Sequence, residues 1–417
     1  MGLIAVSAFS LKSQIIVDTV SVGAGYINHK FYSLQNDEQG TQSKDNWDIA
    51  IEATGYASAI WANTQKANFA VYKAPYSIAN FGSVDTAGIS GWPMLQNSDS
   101  TWNIGAFNRG ANPANSSDLG WGVYDFNTHY VMGDSCYVVK LNATTYKKLK
   151  IVSLISGVYT LEYSNINGSS SQTVTVAKSA YTGKNFAYLD MSSNTLLDRE
   201  PGSSSWDFLF GRYTAFVANG PVMSPYPVVG IMANKGVYVA QMNNVANPST
   251  FYAWPGVPMS TNITTIGHDW KTVNINTGAW AVVVDTIYLV NDKPGNIWKV
   301  RCTGFGGSAN GNFIFSKEKL SAVGVADEKG NSFGEMTLYP NPVSGSDVTL
   351  VLTSRVQSAE VAVSVMDVTG KVLSSEKINA NEGINQHQLN TEALSSGVYF
   401  VTIKAGSYVS TQKLIKQ

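Results

Sequence analysis

Residues 157–163 read Gly-Val-Tyr-Thr-Leu-Glu-Tyr, so apolar and polar side chains alternate along a run rich in β-branched and aromatic types. Similar short runs occur at residues 70–72 and 137–141, and clusters of glycine, asparagine and serine separate them. A period of two is typical of half-buried strands, whereas helical periodicity is hard to find in this chain. The sequence therefore predicts an all-β protein built from sandwiches or curled sheets.

The composition of the 417 residues excludes several classes of protein. Only 14% of the residues are charged and the formal net charge is −1, so the chain has no electrostatic field that would hold nucleic acid. It contains no run of about 18 apolar residues, and no transmembrane helix is predicted. Cys136 and Cys302 lack metal-ligand spacing, so we expect them to be buried and unpaired, or else paired across domains.

The sequence also repeats itself. Trp121 and Trp270 lie 149 positions apart, and the segments that follow them align at this offset without a gap. Upstream, Trp47-Asp48 and Trp206-Asp207 each follow an aromatic strand pattern, and their carboxylates can cap neighbouring backbone N–H groups. Because the loop lengths agree as well, we predict two diverged β domains in tandem, at residues 19–180 and 181–321.

Motifs in the second copy resemble those of a known family. They are Tyr188-Leu189, the run Trp206–Tyr213, and residues 286–290 and 295–300. They are similar to motifs of HmuY-like proteins, which are secreted or outer-membrane haem-binding proteins of Bacteroidetes with an all-β fold. The resemblance covers most of residues 181–318 and, more weakly, residues 26–180. It implies a tandem pair of HmuY-like β domains.

This resemblance implies haem as a candidate cofactor, because a haem-binding relative holds the iron with two axial ligands, typically a pair of histidines. The nearest counterpart here is His129, with Met132 close by as a softer ligand. The second family histidine has no counterpart, and the second copy has Gly278 in place of His129. The alternative interpretation is a solvated loop histidine. No other cofactor and no metal site are predicted.

After residue 321 the sequence becomes polar and turn-forming, which predicts a linker at residues 322–336. A different block follows at residues 337–417. The two prolines near its start set an extended backbone, and Asp367–Lys371 predicts a hairpin turn in which Gly370 supplies a positive φ. Residues 397–403 alternate as a strand. The block therefore predicts a small antiparallel β-sandwich.

In the order of its motifs, this block resembles the type A C-terminal sorting domain of the type IX (Por) secretion system. The residues that carry the motifs are Pro340, Asn341, Pro342, Asp367, Gly370, Gly397, Tyr399 and Lys413. The resemblance implies export through the type IX translocon, attachment by sortase-like machinery, and a secreted or outer-membrane surface location. A generic fibronectin-like sandwich is the alternative.

Residues 1–18 predict the end of a secretory signal peptide, because an apolar run of small residues is followed by a polar segment. The basic start of such a peptide is missing. The alternative is a first β-strand at Ile15–Val17, which is equally apolar.

The chain carries no pattern typical of a catalytic or metal site: HExxH and CxxC are missing, and no GxSxG accompanies a suitable histidine and acid. We therefore expect a non-catalytic binding protein with haem or a glycan as candidate ligands; a secreted hydrolase acting on polysaccharide or protein is the alternative. Tyr252 and Trp254 lie in a loop that suits an aromatic ligand platform. The alternative is that this loop folds back over the sheet as a lid.

Overall fold

The computed structural model describes residues 14–54, 58–320, 333–405 and 408–417. It divides into two compact units, Met1–Ser321 and Ala322–Gln417, which we call the body and the C-terminal unit. Strands dominate both units, and α1 (Gly307–Asn310) is the α-helix found in the described part of the chain. No helix within these described residues is long and apolar enough to span a membrane. The prediction of an all-β protein is confirmed.

The strands of the body, in chain order, are β1 (Ile16–Ser21), β2 (Asn28–Ser33), β3 (Asp37–Ser43), β4 (Ile49–Glu52), β5 (Ile60–Ala62), β6 (Ala70–Ser77), β7 (Gly122–Tyr124), β8 (Val131–Gly133), β9 (Ser135–Lys140), β10 (Tyr146–Ile155), β11 (Val158–Asn165), β12 (Gln172–Ala177), β13 (Phe186–Asp190), β14 (Thr195–Leu197), β15 (Phe208–Asn219), β16 (Val222–Ala233), β17 (Tyr238–Met242), β18 (Lys271–Val273), β19 (Trp280–Val282), β20 (Ile287–Asn291), β21 (Ile297–Phe305) and β22 (Asn312–Lys319). Short 3₁₀ helices lie at Ala24–Tyr26, Ile78–Ser83, Ile89–Gly91, Ala106–Asn108, Lys178–Tyr181 and Pro248–Thr250.

The body is built as four stacked sheets and a separate two-stranded sheet, β18–β19. The first outer sheet joins β12, β11, β10, β9 and β6 and carries the hairpin β7–β8. The first inner sheet has the order β14-β13-β4-β5, and the second inner sheet has the order β16-β15-β2-β3. The second outer sheet has the order β1-β22-β21-β20-β17. Neighbouring sheets pack face to face, since each main hydrophobic cluster draws side chains from two of them.

Alternate residues of the inner strands face different cores. On β4, Ile49 and Ile51 pack towards the first outer sheet, whereas Ala50 between them joins the core between the two inner sheets. On β15, Phe208 packs towards the second outer sheet and Leu209 joins the same central core. This is the period of two that strand geometry imposes. Because both faces are buried at residues 49–51 of β4 and 208–210 of β15, these stretches are apolar without interruption.

The sequence repeat corresponds to two structurally equivalent halves. The two outer sheets have matching orders, β12-β11-β10-β9-β6 and β1-β22-β21-β20-β17. The hairpins β7–β8 and β18–β19 also correspond, and the tryptophans before them, Trp121 and Trp270, are both buried. The two halves therefore contain equivalent strands in the same order along the chain.

Each half gives its first three strands to sheets of the other half, β1–β3 from the first half and β12–β14 from the second. β1 pairs with β22 and β2 with β15, while β12 pairs with β11 and β13 with β4. The structural repeats therefore span residues 16–165 and 172–319, and each of the four stacked sheets holds strands of both. For this reason the expected tandem domains at residues 19–180 and 181–321 are not separate compact units.

Other predicted boundaries also shift. Ile16 and Val17 lie in β1, as the first-strand alternative expects, and the signal peptide at residues 1–18 stays a prediction. Of the predicted signal peptide, residues 1–13 lie outside the described residues, as do residues 322–332 of the linker predicted at residues 322–336. Residues 333–336 belong to a strand. Cys136 and Cys302 are buried and free, as expected.

The C-terminal unit contains β23 (Phe333–Tyr339), β24 (Asp347–Met366), β25 (Val372–Asn390), β26 (Gly397–Ala405) and β27 (Tyr408–Lys416). These strands pair antiparallel, with β24 contacting β23, β25 and β26. β25 pairs with β24 on both sides of a register shift between Ser354 and Ser358, while β23 pairs with the first part of β24 and β26 with its last part. Alternating residues of β24 such as Val348, Leu350 and Leu352 fill a hydrophobic core within the C-terminal unit.

Candidate functional site

A cavity of about 60 Å³ lies in the central layer of the body, between the two inner sheets. Its walls are mainly aromatic and come from both repeats. The aromatic lining includes Phe31, Trp47, Trp61, Phe186, Tyr188 and Trp206. Sandwich cores are normally packed without voids of this size, so the cavity is the main candidate for a binding site in the body.

The two Trp-Asp segments place equivalent tryptophans against this cavity. Trp47 packs edge to face on Tyr188 with ring centroids 5.3 Å apart, and Trp206 packs in the same way on Phe31 at 5.1 Å. Each of these contacts joins one repeat to the other. The exchange of strands between the repeats therefore builds the walls of the cavity.

The aspartates of these segments hold the exchanged strands. Asp48 Oδ2 accepts a hydrogen bond from Met191 N at 2.8 Å, and Asp207 Oδ2 accepts one from Leu34 N at 2.7 Å. Asp48 also forms an ion pair with Lys66 at 2.6 Å. Burial raises the pKa of both carboxyls. These side chains cap backbone N–H groups, as the sequence predicts.

Several buried donors at the cavity lack an acceptor. Among the described residues, Trp47 Nε1, Trp206 Nε1 and Arg212 Nε are buried without a hydrogen-bond partner, and all three residues line the cavity. By contrast, Trp61 Nε1 donates to Trp102 O at 2.9 Å. Unpaired buried donors are uncommon in native proteins and call for an explanation.

Two arginines make the cavity electropositive. Arg199 is buried, donates to Asn46 Oδ1 at 3.1 Å and to Ser43 O at 2.8 Å, and lies 4.8 Å from the ring centre of Tyr188. Arg212 is half-buried and also lines the cavity. Burial lowers the pKa of the Arg199 guanidinium, but arginine as a residue type does not lose its charge in proteins.

The remaining titratable groups of the lining do not cancel this charge. Burial raises the pKa of Glu200, the acidic residue among the lining residues, to about 7, although its carboxylate accepts the Phe186 N–H at 2.8 Å. Burial and then the charge of Arg199 lower the pKa of His29 to about 3. Near neutral pH His29 is therefore uncharged and Glu200 is partly protonated, so positive charge prevails.

The predicted haem ligands lie elsewhere, on the hairpin β7–β8. His129 has φ +60°, and its Nδ1 lies 2.7 Å from Tyr124 Oη. Met132 is 49% exposed on β8. Gly278, the equivalent of His129 in the second repeat, has φ +68°, so this turn requires the left-handed conformation in both repeats.

The other histidines do not complete a two-histidine site on that hairpin. His29 Nε2 lies 3.2 Å from Arg212 O, and His268 Nδ1 lies 3.2 Å from Tyr213 Oη, both inside the body. His387 belongs to the C-terminal unit. Within the described residues no group of His, Cys, Asp and Glu side chains is placed to hold a metal ion. Haem binding stays a prediction.

The Tyr252–Trp254 loop is attached to the second outer sheet. Tyr252 is 42% exposed, and its hydroxyl donates to Glu318 Oε1 at 3.0 Å. Lys299 Nζ lies 4.6 Å from the centre of the Tyr252 ring and forms a buried ion pair with Glu318 at 2.7 Å. Trp254 is half-buried. This geometry suits the alternative in which the loop covers the sheet, and a role in ligand binding stays a prediction.

In the C-terminal unit, the Pro340-Asn341-Pro342 segment is fixed to the last strand. Asn341 Nδ2 donates to Lys413 O at 2.7 Å, and Asn341 Oδ1 accepts from Ile415 N at 2.9 Å. The side chain therefore takes the place of a backbone pair beside β27. Pro340 and Pro342 flank Asn341, whose side-chain amide makes both hydrogen bonds.

The other motif residues shape turns and strand ends. Asp367 Oδ1 accepts from the backbone N–H groups of Thr369 and Lys371, and Gly370 has φ +85° in this turn. Tyr399 Oη donates to Ser395 O at 2.8 Å. Gly397 begins β26, and Lys413 is exposed on β27.

Residues 337–417 match the family model described as a secretion system C-terminal sorting domain. These residues are a sorting domain. The type IX resemblance of this block is thereby confirmed, and the chain is exported by the type IX secretion system as a secreted or cell-surface protein. The sorting domain implies an interaction with that secretion machinery.

No curated protein matches the chain. Among solved structures, one described as "Tomographic subvolume average of EFF-1 fusogen on extracellular vesicles" is 9% identical, with 97% of this chain and 94% of that chain covered. Its TM-score of 0.17 does not indicate a shared fold.

The sequence marks Trp47 and Trp206 as strand starts and places Arg212 in a motif, but it does not predict the cavity. The signal was the repeated Trp-Asp pair, which marks where the repeats contact each other. Sequence alone does not show that these positions face one another, because the contacts cross more than 140 residues of chain.

Proposed function

We propose that this chain is a secreted or cell-surface binding protein whose body holds a ligand without catalysing a reaction. The observation that carries the proposal is the aromatic cavity between the inner sheets, with buried N–H donors that lack acceptors. A ligand would supply those acceptors and replace the void with packed atoms. The sorting domain explains how such a protein reaches the outside of the cell.

The use of acidic side chains favours binding over hydrolysis. Asp48 and Asp207 cap backbone N–H groups, Glu318 pairs with Lys299, and Glu52 pairs with Lys235. A glycosidase would need two carboxyl groups facing the substrate across a cleft, about 5 to 10 Å apart. These carboxylates are instead committed to contacts within the fold.

Two ligand classes follow from the sequence. The HmuY-like resemblance of the body makes haem one of them, and the exposed face of Tyr252 makes glycans another. Translocon and sortase-like attachment machinery are the proposed partners of the sorting domain. The two ligand classes and the cavity are separable, because Tyr252 and His129 do not line the cavity.

The experiment is a ligand panel applied to the full-length protein. Haem, oligosaccharides and small organic molecules are titrated while tryptophan fluorescence and the melting temperature are recorded, and turnover of polysaccharide and protein substrates is assayed in parallel. We expect at least one ligand to raise the melting temperature, with no turnover. Turnover would support the hydrolase alternative, and a panel with neither binding nor turnover would overturn the proposal.

A matched pair of variants locates the site. Ala50 lines the cavity and Ala215 lies in the same central core outside its lining, and both are buried. Ala50→Leu fills the void and should abolish binding, whereas Ala215→Leu should destabilise by overpacking, about 1–3 kcal/mol, and leave affinity unchanged. Equal binding by both variants would place the ligand elsewhere.

A further inference from the structure

Two buried tryptophans differ from the others in the body because their indole N–H groups have no hydrogen-bond acceptor among the described residues. In the described body, the buried Trp61, Trp102, Trp121, Trp270 and Trp298 all donate their indole N–H to an acceptor, at 2.7 to 3.2 Å. The buried tryptophans without an acceptor among the described residues are Trp47 and Trp206. These two occupy equivalent positions in the repeats, and both line the cavity.

A third donor of the same kind is the buried Nε of Arg212, which has no acceptor in the described part of the chain and belongs to a residue that lines the cavity. The unpaired atoms of Trp47, Trp206 and Arg212 are all hydrogen-bond donors. A ligand that satisfies them must therefore offer acceptor atoms. A carboxylate has about four lone-pair positions on two oxygens, and its hydrogen bonds to an arginine are charge-assisted.

The charge of the lining selects an anion over a neutral acceptor. Arg199 and Arg212 are permanently cationic, His29 is neutral near pH 7, and Glu200 is only partly ionised there. A buried positive charge gains most from a ligand of opposite sign, since water does not screen it there. The other walls are aromatic rings, which suit an alkyl group.

The volume limits the size of the ligand. A cavity of about 60 Å³ has room for about four to six water-sized atoms, at 10–15 Å³ each. A carboxylate group with a short branched alkyl chain has this number of non-hydrogen atoms. Larger aromatic acids would require the central core to expand, and cores resist expansion.

We infer that the cavity binds a short-chain carboxylate of about six non-hydrogen atoms, with its oxygens accepting hydrogen bonds from Trp47, Trp206 and Arg212. This inference rests on the proposed binding function and names the ligand class of that site. The alkyl part contacts the aromatic walls. Because the indoles come from different repeats, the ligand bridges the two halves of the body.

The first test compares two probes of equal shape. Isobutyrate and isobutyramide are titrated into the full-length protein at pH 7 by calorimetry, with tryptophan fluorescence as a second readout. We expect isobutyrate to bind at least tenfold more tightly than isobutyramide, because only the acid is an anion. Equal or tighter binding of the amide would overturn the inference.

The second test removes single N–H donors while keeping an aromatic ring. Trp47→Phe and Trp206→Phe should each weaken isobutyrate binding at least fivefold. Trp61→Phe is the matched control, since Trp61 lines the same cavity but its N–H already donates to Trp102 O. It should change affinity less than twofold, and a loss as large as in the other two variants would contradict the assigned hydrogen bonds.

The ligand-free variants give an independent readout. Trp47→Phe and Trp61→Phe both lose buried ring volume and should both lower the urea midpoint of the free protein, but Trp61→Phe also breaks a made hydrogen bond and should lower it further. If isobutyrate fails to bind while another ligand of the panel binds and is blocked by Ala50→Leu, the carboxylate inference fails and the binding function stands.

Discussion

Asp207 accepts a hydrogen bond from the backbone N–H of Leu34 at 2.7 Å, across 173 positions of the chain. Its counterpart Asp48 accepts one from Met191 across 143 positions. Each bond ties a strand of one repeat to the segment that opens an inner strand of the other. The interleaving of the two halves therefore depends on the same residue type at equivalent places.

Replacing either aspartate should destabilise the body strongly. Asp207→Ala leaves the buried Leu34 N–H and the Lys293 N–H without their acceptor, so we expect a loss of about 2–4 kcal/mol in the free energy of unfolding. Urea denaturation measures it. Asp198→Ala is the control, because Asp198 is 58% exposed and pairs only at the surface with Lys184. Similar losses in both variants would argue against the capping role.

Cutting the chain between the repeats should not separate them. The loop around Gly168 and Ser169 is exposed and lies between β11 and β12, so a protease site inserted there is accessible. After cleavage we expect both parts to elute together in gel filtration and to separate only in denaturant, because each holds strands of the other. Independent elution under native conditions would contradict the strand exchange.

The stability of the body should fall in acid partly because of His29. Burial lowers its pKa from 6.5 to about 3, so only the unfolded chain takes up this proton below pH 6.5. The stabilising contribution is complete above that pH and is lost as the pH falls towards 3. Between pH 7.5 and 5.0 we expect about 2 kcal/mol of loss from this group.

The variant His29→Gln measures this contribution. It should lose about 2 kcal/mol less than the natural chain over the same pH interval in urea titrations. The raised pKa of Glu200 acts in the opposite direction, since its contribution to stability falls as the pH rises, but it is common to both proteins. Identical pH profiles would show that His29 is not buried in its neutral form.

The turn that carries His129 offers a paired test of conformation. Gly278 has open space around its Cα, so Gly278→Ala meets no atom and costs only the left-handed backbone, about 1 kcal/mol. His129→Gly relieves the same conformation and should leave stability unchanged or slightly higher. Thermal unfolding measures both. A stability loss of the same size from His129→Gly would show that its side chain makes contacts that matter.

The sorting domain should respond to a change at Asn341. Asn341→Ala removes the hydrogen bonds to Lys413 O and from Ile415 N and should cost about 1–2 kcal/mol. Because the body and the C-terminal unit are separate compact units, we expect calorimetry to show the shift in one transition only. Lys377→Ala, in an exposed ion pair, serves as the control. A shift in both transitions would contradict independent folding.

Much of the fold was predictable because strand periodicity and turn chemistry are local. The runs at residues 137–141 and 157–163 lie in or around β9 and β11, and the Asp367–Gly370 turn lies where the sequence placed it. The repeat was also predictable, since Trp121 and Trp270 are equivalent in the structure. Local patterns do not show which copy of a strand serves as the partner, because equivalent strands carry equivalent patterns.

The site was less predictable for a related reason. Trp47 and Trp206 stand out in sequence, but their meeting place depends on strands exchanged over long stretches of chain. His129 is a candidate haem ligand in the sequence because it follows a tryptophan. In the structure it occupies a left-handed turn position that Gly278 occupies in the other repeat. Unpaired donors such as the Arg212 Nε become visible only when the packing around them is known.

The exchange of leading strands has a consequence for how such a body arose. A lone repeat would leave the edges that β1, β2, β12 and β13 now cover without partners, and two separate copies would cover them for each other as a symmetric dimer. Fusing the copies makes that association independent of dilution. This suits a protein released outside the cell, where a dimer held only by mass action would fall apart.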